Sequence, residues 1–304
     1  MNKTYDLLIL GAGPAGITAA IYAARKKLSF IVITNDIGGQ AAWSGDIENY
    51  VGYQFITGPE LIAKFEEHMN SYGIEVKKPE NIKKINKEGN LVRTTTDKAE
   101  YLSKTLIVAT GKRPRLLNVP GESEFKNKGV TYCATCDGPI FKDKNVAIIG
   151  GGNSGLDAAL QMITVSPKVY MIDAAPQLIG DPIMIEKVKA AKNIEILNNA
   201  RVKRIYGEAF VKGLEIERDG KNSTIAIEGV FVEIGLMPNT DFAETIKKND
   251  QKEIVVDCQN NTDVDGIFAA GDVTNVHEKQ IIVACGEGAK ASLSAFKYLA
   301  THNF

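Results

Sequence analysis

The sequence predicts an α/β protein built from two similar units, the second inserted into the first. Three observations predict it. A strand–glycine turn–helix–strand pattern opens the chain, and the same pattern returns near residue 145. Beyond a second glycine-containing break, an apolar strand and a long helix close the chain.

The elements follow in order. Tyr5 to Leu10 is a short apolar run ending at Gly11, Pro14 to Lys27 has helical spacing, and Ser29 to Thr34 reads as a strand. Thr105 to Thr110 reads as a buried strand ending at Gly111, and Lys112-Arg113-Pro114-Arg115 as a linker. Asn145 to Ile149 is a strand, Gly150 to Gly155 a glycine turn, Leu156 to Ile163 a helix and Lys168 to Ile172 a strand. A second break falls at Gly235 to Asn239. Gly266 to Ala270 is a further strand, and a helix runs from about Ile281 to Ala300. The expected domains are residues 1–113 with 238–304, and residues 114–237 inserted between them.

Composition excludes several classes. The net charge is −1, so no electrostatic case exists for nucleic acid or an anionic membrane as partner. No stretch approaches the roughly 18 apolar residues of a membrane span. Four cysteines with a single C-x-x-C suit a reducing compartment better than a disulfide framework, and a soluble cytoplasmic protein is expected.

The first turn reads Gly11-Ala12-Gly13-Pro14-Ala15-Gly16. In such a turn the first glycine permits the bend, the second lets backbone approach a pyrophosphate, and the third lets helix and strand pack closely. The helix N-terminus then aims N–H groups at phosphate. The second turn, Gly150-Gly151-Gly152-Asn153-Ser154-Gly155, repeats the pattern, and Asp173 ends the following strand, where an acid accepts hydrogen bonds from adenosine ribose hydroxyls. Asp173 repels a 2′-phosphate, and Ala174 and Ala175 offer no cation, so NADH is expected over NADPH. The expected class is therefore α/β with two Rossmann-like, three-layer ββα nucleotide-binding domains.

Cys133-Ala134-Thr135-Cys136-Asp137 carries the remaining chemistry. A C-x-x-C closes a small disulfide and stabilises a thiolate when reduced. Asp137 stands where it can move a proton to and from a thiol. A zinc site needs a second pair, but Cys258 and Cys285 are far apart in sequence and read as ordinary buried or semi-buried thiols. No metal is expected. Trp43 reads as a core residue or one packed beside a bound cofactor, His277 as a structural residue, and the lysines at 83, 84 and 87 as a solvated face.

Taken together, GAGPAG at the N-terminus, TYCATCDG before a second GGG-x-S-G, and a late FAAGD resemble the low-molecular-weight thioredoxin reductase family over essentially the whole chain. The run from Lys279 to Phe296 is similar to the flavoprotein subunit of bacterial alkyl hydroperoxide reductase, whose extra N-terminal thioredoxin-like region is not expected in these residues. The resemblance implies FAD in the first domain. It places Gly11, Gly13, Pro14, Ala15 and Gly16 at the pyrophosphate and Thr34, Gly38, Gly39 and Gln40 along the adenosine and ribityl region. It places Asn49 near the isoalloxazine, and Gln280 and Ile281 at the flavin ring. Asp272 falls on the ribityl or pyrophosphate portion, with Thr110, Gly111, Gly271 and Lys279 in the same cofactor-binding set. Thr34 stands where a ribose-binding acid is usual, and Asp36 is the substitute. In the second domain Gly150, Gly152, Asn153, Ser154, Gly155 and Asp173 are the nicotinamide nucleotide's residues.

The resemblance further implies Cys136 as the flavin-facing thiol, Cys133 as the interchange thiol and Asp137 as the proton carrier. Electrons pass from reduced nicotinamide through FAD to thioredoxin or a glutaredoxin-like protein, with a peroxiredoxin system as another outlet. Rotation of the inserted domain about the two linkers and a homodimer are family expectations. The basic His-Arg-Arg-x-x-x-Arg of NADPH-using members becomes Asp173, Ala174, Ala175 and Ile179 here. That departure agrees with NADH and leaves room for a reductase fed by ferredoxin, against which the intact Gly150, Gly152 and Gly155 pattern argues; a flavin redox sensor that does not turn over is a separate alternative.

Overall fold

The computed structural model describes residues 3–44, 46–47 and 49–304, without the side chains of Trp43, Asp46, Thr135 and Cys136. The expectations for the Trp43 ring and the Cys136 sulfur therefore lie outside the described residues. The chain divides into two compact units, Met1–Arg113 with Met237–Phe304, and Pro114–Leu236.

The elements run β1 Thr4–Ala12, α1 Pro14–Arg25, β2 Phe30–Ile37, β3 Asp46–Ile47, β4 Ile56–Thr57, α2 Gly58–Ser71, β5 Val76–Lys77, β6 Ile82–Glu88, β7 Leu91–Thr96 and β8 Glu100–Val108. They continue through β9 Lys112–Pro114, β10 Val130–Thr131, α3 Ala134–Asp137, β11 Val146–Ile149, α4 Asn153–Met162, β12 Val169–Ile172, α5 Pro182–Ala190 and β13 Ile194–Leu197. The last are β14 Ala200–Gly207, β15 Val211–Arg218, β16 Lys221–Ala226, β17 Gly229–Val232, β18 Leu236–Pro238, β19 Ile267–Ala269 and α6 Ile281–Thr301.

In the first unit the sheet order is β5-β2-β1-β8-β7-β6, with β19 parallel to the C-terminal half of β8. Alternation along β1 decides the layers. Leu7 and Ile9 face α1 and α6, together with Val32, Ile107 and Phe268. Leu8 and Leu10 face the opposite layer, with Ile85, Val92, Ile246 and Ile254. All four β1 residues are fully buried, each worth roughly 1.5–3 kcal/mol over exposure. Small residues on α1 (Ala19, Ala20, Ala23) and α6 (Ala291, Ala295) let these helices pack against the sheet and each other.

The inserted unit has a five-stranded parallel sheet, order β10-β17-β11-β12-β13, and an antiparallel meander β14-β15-β16. Ala147, Ile149, Ile172, Val230 and Val232 face the meander's Ile205, Leu214 and Ile216. Ile148, Met171 and Phe231 face Leu156 and Met162 of α4 and Val188 of α5. Meander, parallel sheet and helices make the three expected layers.

The structure departs from the sequence reading in four places. Helix α4 begins at Asn153, three residues before Leu156, because Gly155 belongs to its first turn. The two segments read as linkers contain strands β9 and β18, which pair with each other. Lys83 and Lys84 are exposed as expected, but the Lys87 ammonium is buried without a hydrogen-bond partner, and burial lowers its pKa. Cys285 is buried, whereas Cys258 is exposed. No described helix is long and apolar enough to cross a membrane.

Candidate active site

The first glycine turn is held by three close approaches. Gly11 has φ +100°, and a Cβ there would stand 2.4 Å from the Ala109 carbonyl oxygen. A Cβ on Gly16 would meet the Gly11 carbonyl oxygen at 2.0 Å. From the other side, α6 crosses so closely that a Cβ on Gly288 would lie 2.1 Å from Ala15 O. Gly288 is a packing residue the sequence did not mark. Gly13 differs: the nearest atom to its Cβ position is Gly38 O at 3.9 Å. It is also the N-cap of α1, with no side-chain cap and Pro14 behind it. The space over Gly13 and the uncapped N–H groups fit a phosphate-bearing group.

The other residues expected around this turn are placed by the same unit. Gly38 donates its N–H to Ala12 O (2.7 Å), bringing the Gly38-Gly39 bend back to the turn. Thr34 is buried and turns its hydroxyl to Asp36 O (2.6 Å), while Asp36 is exposed. Gln40 donates to Lys112 O (3.2 Å). Asn49 donates to the Gln280 side chain (3.1 Å), joining two expected flavin-side residues that are 231 apart in sequence. Thr110 and Asn239 exchange two hydrogen bonds of 2.8 Å, and Asn239 N–H donates to Gly111 O, a pairing the sequence did not reveal. Gly271, at φ +75°, passes Ala15 with only 2.9 Å between its Cβ position and the alanine's.

Asp272 follows at a position where burial raises its carboxyl pKa, opposed by Lys279 and Lys112. Both lysines are fixed by buried Glu253, at 2.9 Å from Lys112 and 3.0 Å from Lys279. Gln280 caps α6 through backbone alone, and Ile281 starts the helix, so this 21-residue helix presents uncapped N–H groups.

The second turn repeats the first. A Cβ on Gly150 would stand 2.2 Å from Glu233 O, and one on Gly155 1.9 Å from Gly150 O. Gly152 is open and caps α4 without a side chain, next to Asn153 and Ser154. Asn153 accepts from Asp181 N–H (2.8 Å), pinning the loop after β12. These residues line a cleft of about 590 Å³ with Asp173, Ala174, Arg201 and Glu233. Asp173 accepts from Ala175 N–H at 2.6 Å.

Two cleft residues were missed by sequence reasoning. Arg201 supplies the cation that Ala174 and Ala175 lack, because Ala200 N–H bonds to Asp173 O (2.9 Å) and brings β14 to the cleft rim. Glu233 follows β17, and the Ala134 amide lies close enough to its carboxyl to favour the charged form. Burial pushes this carboxyl up to about 7, with the Ala134 N–H opposing and Asp157 adding to the rise.

That amide belongs to the cysteine turn. Cys133 is disulfide-bonded. Its N–H donates to the Thr131 hydroxyl oxygen (3.2 Å), and the same hydroxyl donates to the Asp137 carboxylate. Asp137 N–H closes the turn onto Cys133 O (3.2 Å). Tyr132 is anchored to buried Glu122 (3.0 Å), which also accepts from the N–H groups of Leu117 and Asn118. Cys285 lies in the other unit, where burial raises its thiol pKa.

Two glycine turns, one cleft with an acid after its strand and a disulfide in the cleft's own unit match a described family. Its model, pyridine nucleotide-disulphide oxidoreductase, matches residues 5–288. The chain belongs to this family. It is 42% identical over 301 residues to the NADH dehydrogenase of Bacillus subtilis (strain 168), covering 98% of this chain and 59% of that protein. It is 43% identical over 310 residues to an alkyl hydroperoxide reductase subunit of Escherichia coli (strain K12), covering 98% and 59%. The chain thus spans less than two thirds of the length of these curated relatives. Among solved structures, Lactococcus lactis thioredoxin reductase has 32% identity and a TM-score of 0.87, covering 98% of this chain and 100% of that one. The chain is a flavoprotein oxidoreductase by family and has the two-domain thioredoxin reductase fold. The family implies FAD and a nicotinamide nucleotide.

Proposed function

We propose that the chain is an FAD-dependent disulfide reductase that takes electrons from NADH in preference to NADPH and passes them through Cys133 and Cys136 to thioredoxin or a glutaredoxin-like protein. The observation that carries this reading is the disulfide-bonded Cys133 in the same unit as a nucleotide-sized cleft ending in Asp173. The names of the two curated relatives support an NADH-linked reductase and a peroxide-reducing system as its outlet.

In this reading the first unit holds FAD. Gly13 and the N–H groups of α1 would take the pyrophosphate, Asp272 the ribityl or pyrophosphate portion, and the Gln280–Ile281 backbone the ring. FAD, when bound, supplies the two-electron relay between hydride donor and disulfide. Asp173 binds the nicotinamide nucleotide's adenosine ribose, and Gly152, Asn153 and Ser154 its pyrophosphate. Overall, NADH and one proton are consumed, one S–S bond breaks, and two thiols form. Asp137, oriented by Thr131, moves the proton at the cysteine sulfur. Cys133 would be the interchange thiol that attacks the partner disulfide, and Cys136 the thiol that exchanges electrons with the flavin. The paired strands β9 and β18 carry the change of domain arrangement that lets the two half-reactions alternate. The molecule works as a cytoplasmic homodimer.

Anaerobic stopped-flow absorbance of the flavin-loaded protein tests the reading. Rapid bleaching by NADH and slower bleaching by NADPH is expected, followed by reoxidation with a thioredoxin disulfide. Bleaching by reduced ferredoxin alone would transfer the assignment to a ferredoxin-fed reductase. Bleaching by NADH without turnover on any protein disulfide would leave a redox sensor.

A further inference from the structure

The N-terminal end of α6 is held from two sides. On the α1 side it rests on small residues: a Cβ on Gly288 would meet Ala15 O at 2.1 Å, and one on Gly271 would stand 3.6 Å from the Ala284 Cβ. The other side is polar. Asn49 donates to the Gln280 side chain at 3.1 Å, and the Tyr50 hydroxyl donates to Cys285 Sγ at 3.8 Å. Two adjacent residues thus grip the N-cap of α6 and a residue in its second turn.

The Tyr50 end of this grip is itself fixed. Tyr53 N–H returns to Tyr50 O at 3.1 Å, closing a turn that leaves Val51 exposed. The Tyr50 ring centre lies 5.7 Å from that of Phe65 on α2. Tyr50, Phe65 and Ile281 pack on one small core of Ile47, Ile56 and Leu61. Burial raises the pKa of the Tyr50 phenol and of the Cys285 thiol, so their contact joins two neutral groups. All of these residues belong to the first unit.

The helix end held in this way is one without a side-chain cap. Its free N–H groups serve a ligand only while they keep one direction, and an end fixed in advance spares the ordering cost of binding.

We propose that Tyr50 and Cys285 are positioning residues for the flavin: their contact clasps the 49–53 segment to α6 and holds that helix's N-terminus in place against the isoalloxazine ring. This rests on the reading that the first unit holds FAD with its ring at the Gln280–Ile281 backbone. The pair acts through the helix and needs no contact of its own with the flavin.

The test uses the flavin-loaded protein. Tyr50→Phe removes the hydroxyl and keeps the ring; Cys285→Ala removes the sulfur. Fluorescence after dilution reads the rate of FAD release, visible absorbance reads the surroundings of the ring, and circular dichroism melts report folding. Each single variant is expected to release FAD about threefold faster or more, the scale of one hydrogen bond, with shifted flavin absorbance bands. The double variant should release it no faster than the faster single, because both substitutions remove one contact. If Cys285→Ala fails to fold, Tyr50→Phe decides alone. Wild-type release and spectrum in a folded single variant overturn the proposal, and so do effects that multiply in the double variant. A lowered melting temperature with unchanged release and spectrum assigns the contact to stability alone and overturns it as well. Failure of the wild type to take up FAD instead removes the functional reading beneath it.

Discussion

Asp173 lies directly over Gly151: a Cβ on that glycine would approach Asp173 Oδ2 to 2.5 Å. The other carboxylate oxygen is already held by Ala175 N–H, so the acid cannot swing away without losing a bond. Gly151→Ala is therefore expected to displace Asp173, the acid proposed to bind ribose, while leaving the glycine turn's own close contacts intact. Loss of a charged hydrogen bond costs roughly 1.5–3 kcal/mol, about tenfold or more in affinity. Fluorescence titration with NADH should show that weakening, and the flavin content should not change. Unaltered NADH affinity would show that Asp173 does not hold the ribose.

Gly13 and Gly16 separate cofactor binding from folding. Gly16 has no room for a methyl group, with a backbone carbonyl 2.0 Å from its Cβ position, whereas Gly13 is open. Gly16→Ala should cost about 1–3 kcal/mol or more of stability through overpacking. Gly13→Ala should fold with near-wild-type thermal stability as apoprotein and fail to retain FAD. Paired thermal melts and flavin absorbance check this, and a Gly13→Ala protein that stays yellow refutes the assigned role.

These glycines were legible in the sequence because their work is local. Gly11 and Gly16, like Gly150 and Gly155, meet within one strand–turn–helix step, so spacing alone reveals them. Arg201 and Glu233 were not legible. They reach the cleft through Ala200 N–H to Asp173 O and Glu233 N–H to Ile149 O, bonds set by sheet order. Strand β16 of the meander was missed for a different reason: it is almost wholly exposed, so burial imposes no apolar alternation on it. The cysteine pair was plain, but the Thr131 hydroxyl joining Cys133 N–H to Asp137 became visible only with β10 in place.

Arg201 changes what the cofactor argument predicts. With this guanidinium on the rim, the carboxylate of Asp173 is the principal obstacle to a 2′-phosphate. Asp173→Asn should tighten NADPH binding about tenfold, the scale of one charge-assisted contact. Arg201→Ala in that background should abolish the gain. A double-mutant cycle on NADH and NADPH dissociation constants reads both effects. Equal NADPH affinity in Asp173→Asn with and without Arg201 would exclude the arginine from selection.

Thr131 both orients Asp137 and supports the Cys133 backbone. Thr131→Val keeps the shape and removes the hydroxyl. Proton transfer should slow by about 10²-fold, the lower end of general acid–base help, and turnover on a protein disulfide should fall accordingly. Flavin bleaching by NADH should be unaffected, because it precedes the sulfur chemistry. A loss confined to bleaching would place Thr131 elsewhere in the cycle.

Glu253 is the ionic anchor of the first unit's end of β9. One oxygen takes Lys112 and Lys279, and the other takes Asn249 at 2.7 Å. Burial alone would raise its pKa, but these three donors outweigh burial and hold it below the usual glutamate value. A folded-state pKa below the unfolded one means the stabilisation is complete above the unfolded value and disappears as pH falls through the folded one. Wild-type stability should therefore drop in acid below about pH 4.3, the unfolded glutamate value. Glu253→Gln strands two lysines and should cost about 3 kcal/mol at pH 7. It should also flatten the acid decline, since the titrating group is gone. Urea unfolding at pH 7, about 4.5 and about 3 measures both, and an equally steep acid loss in the variant would assign the decline to other carboxylates.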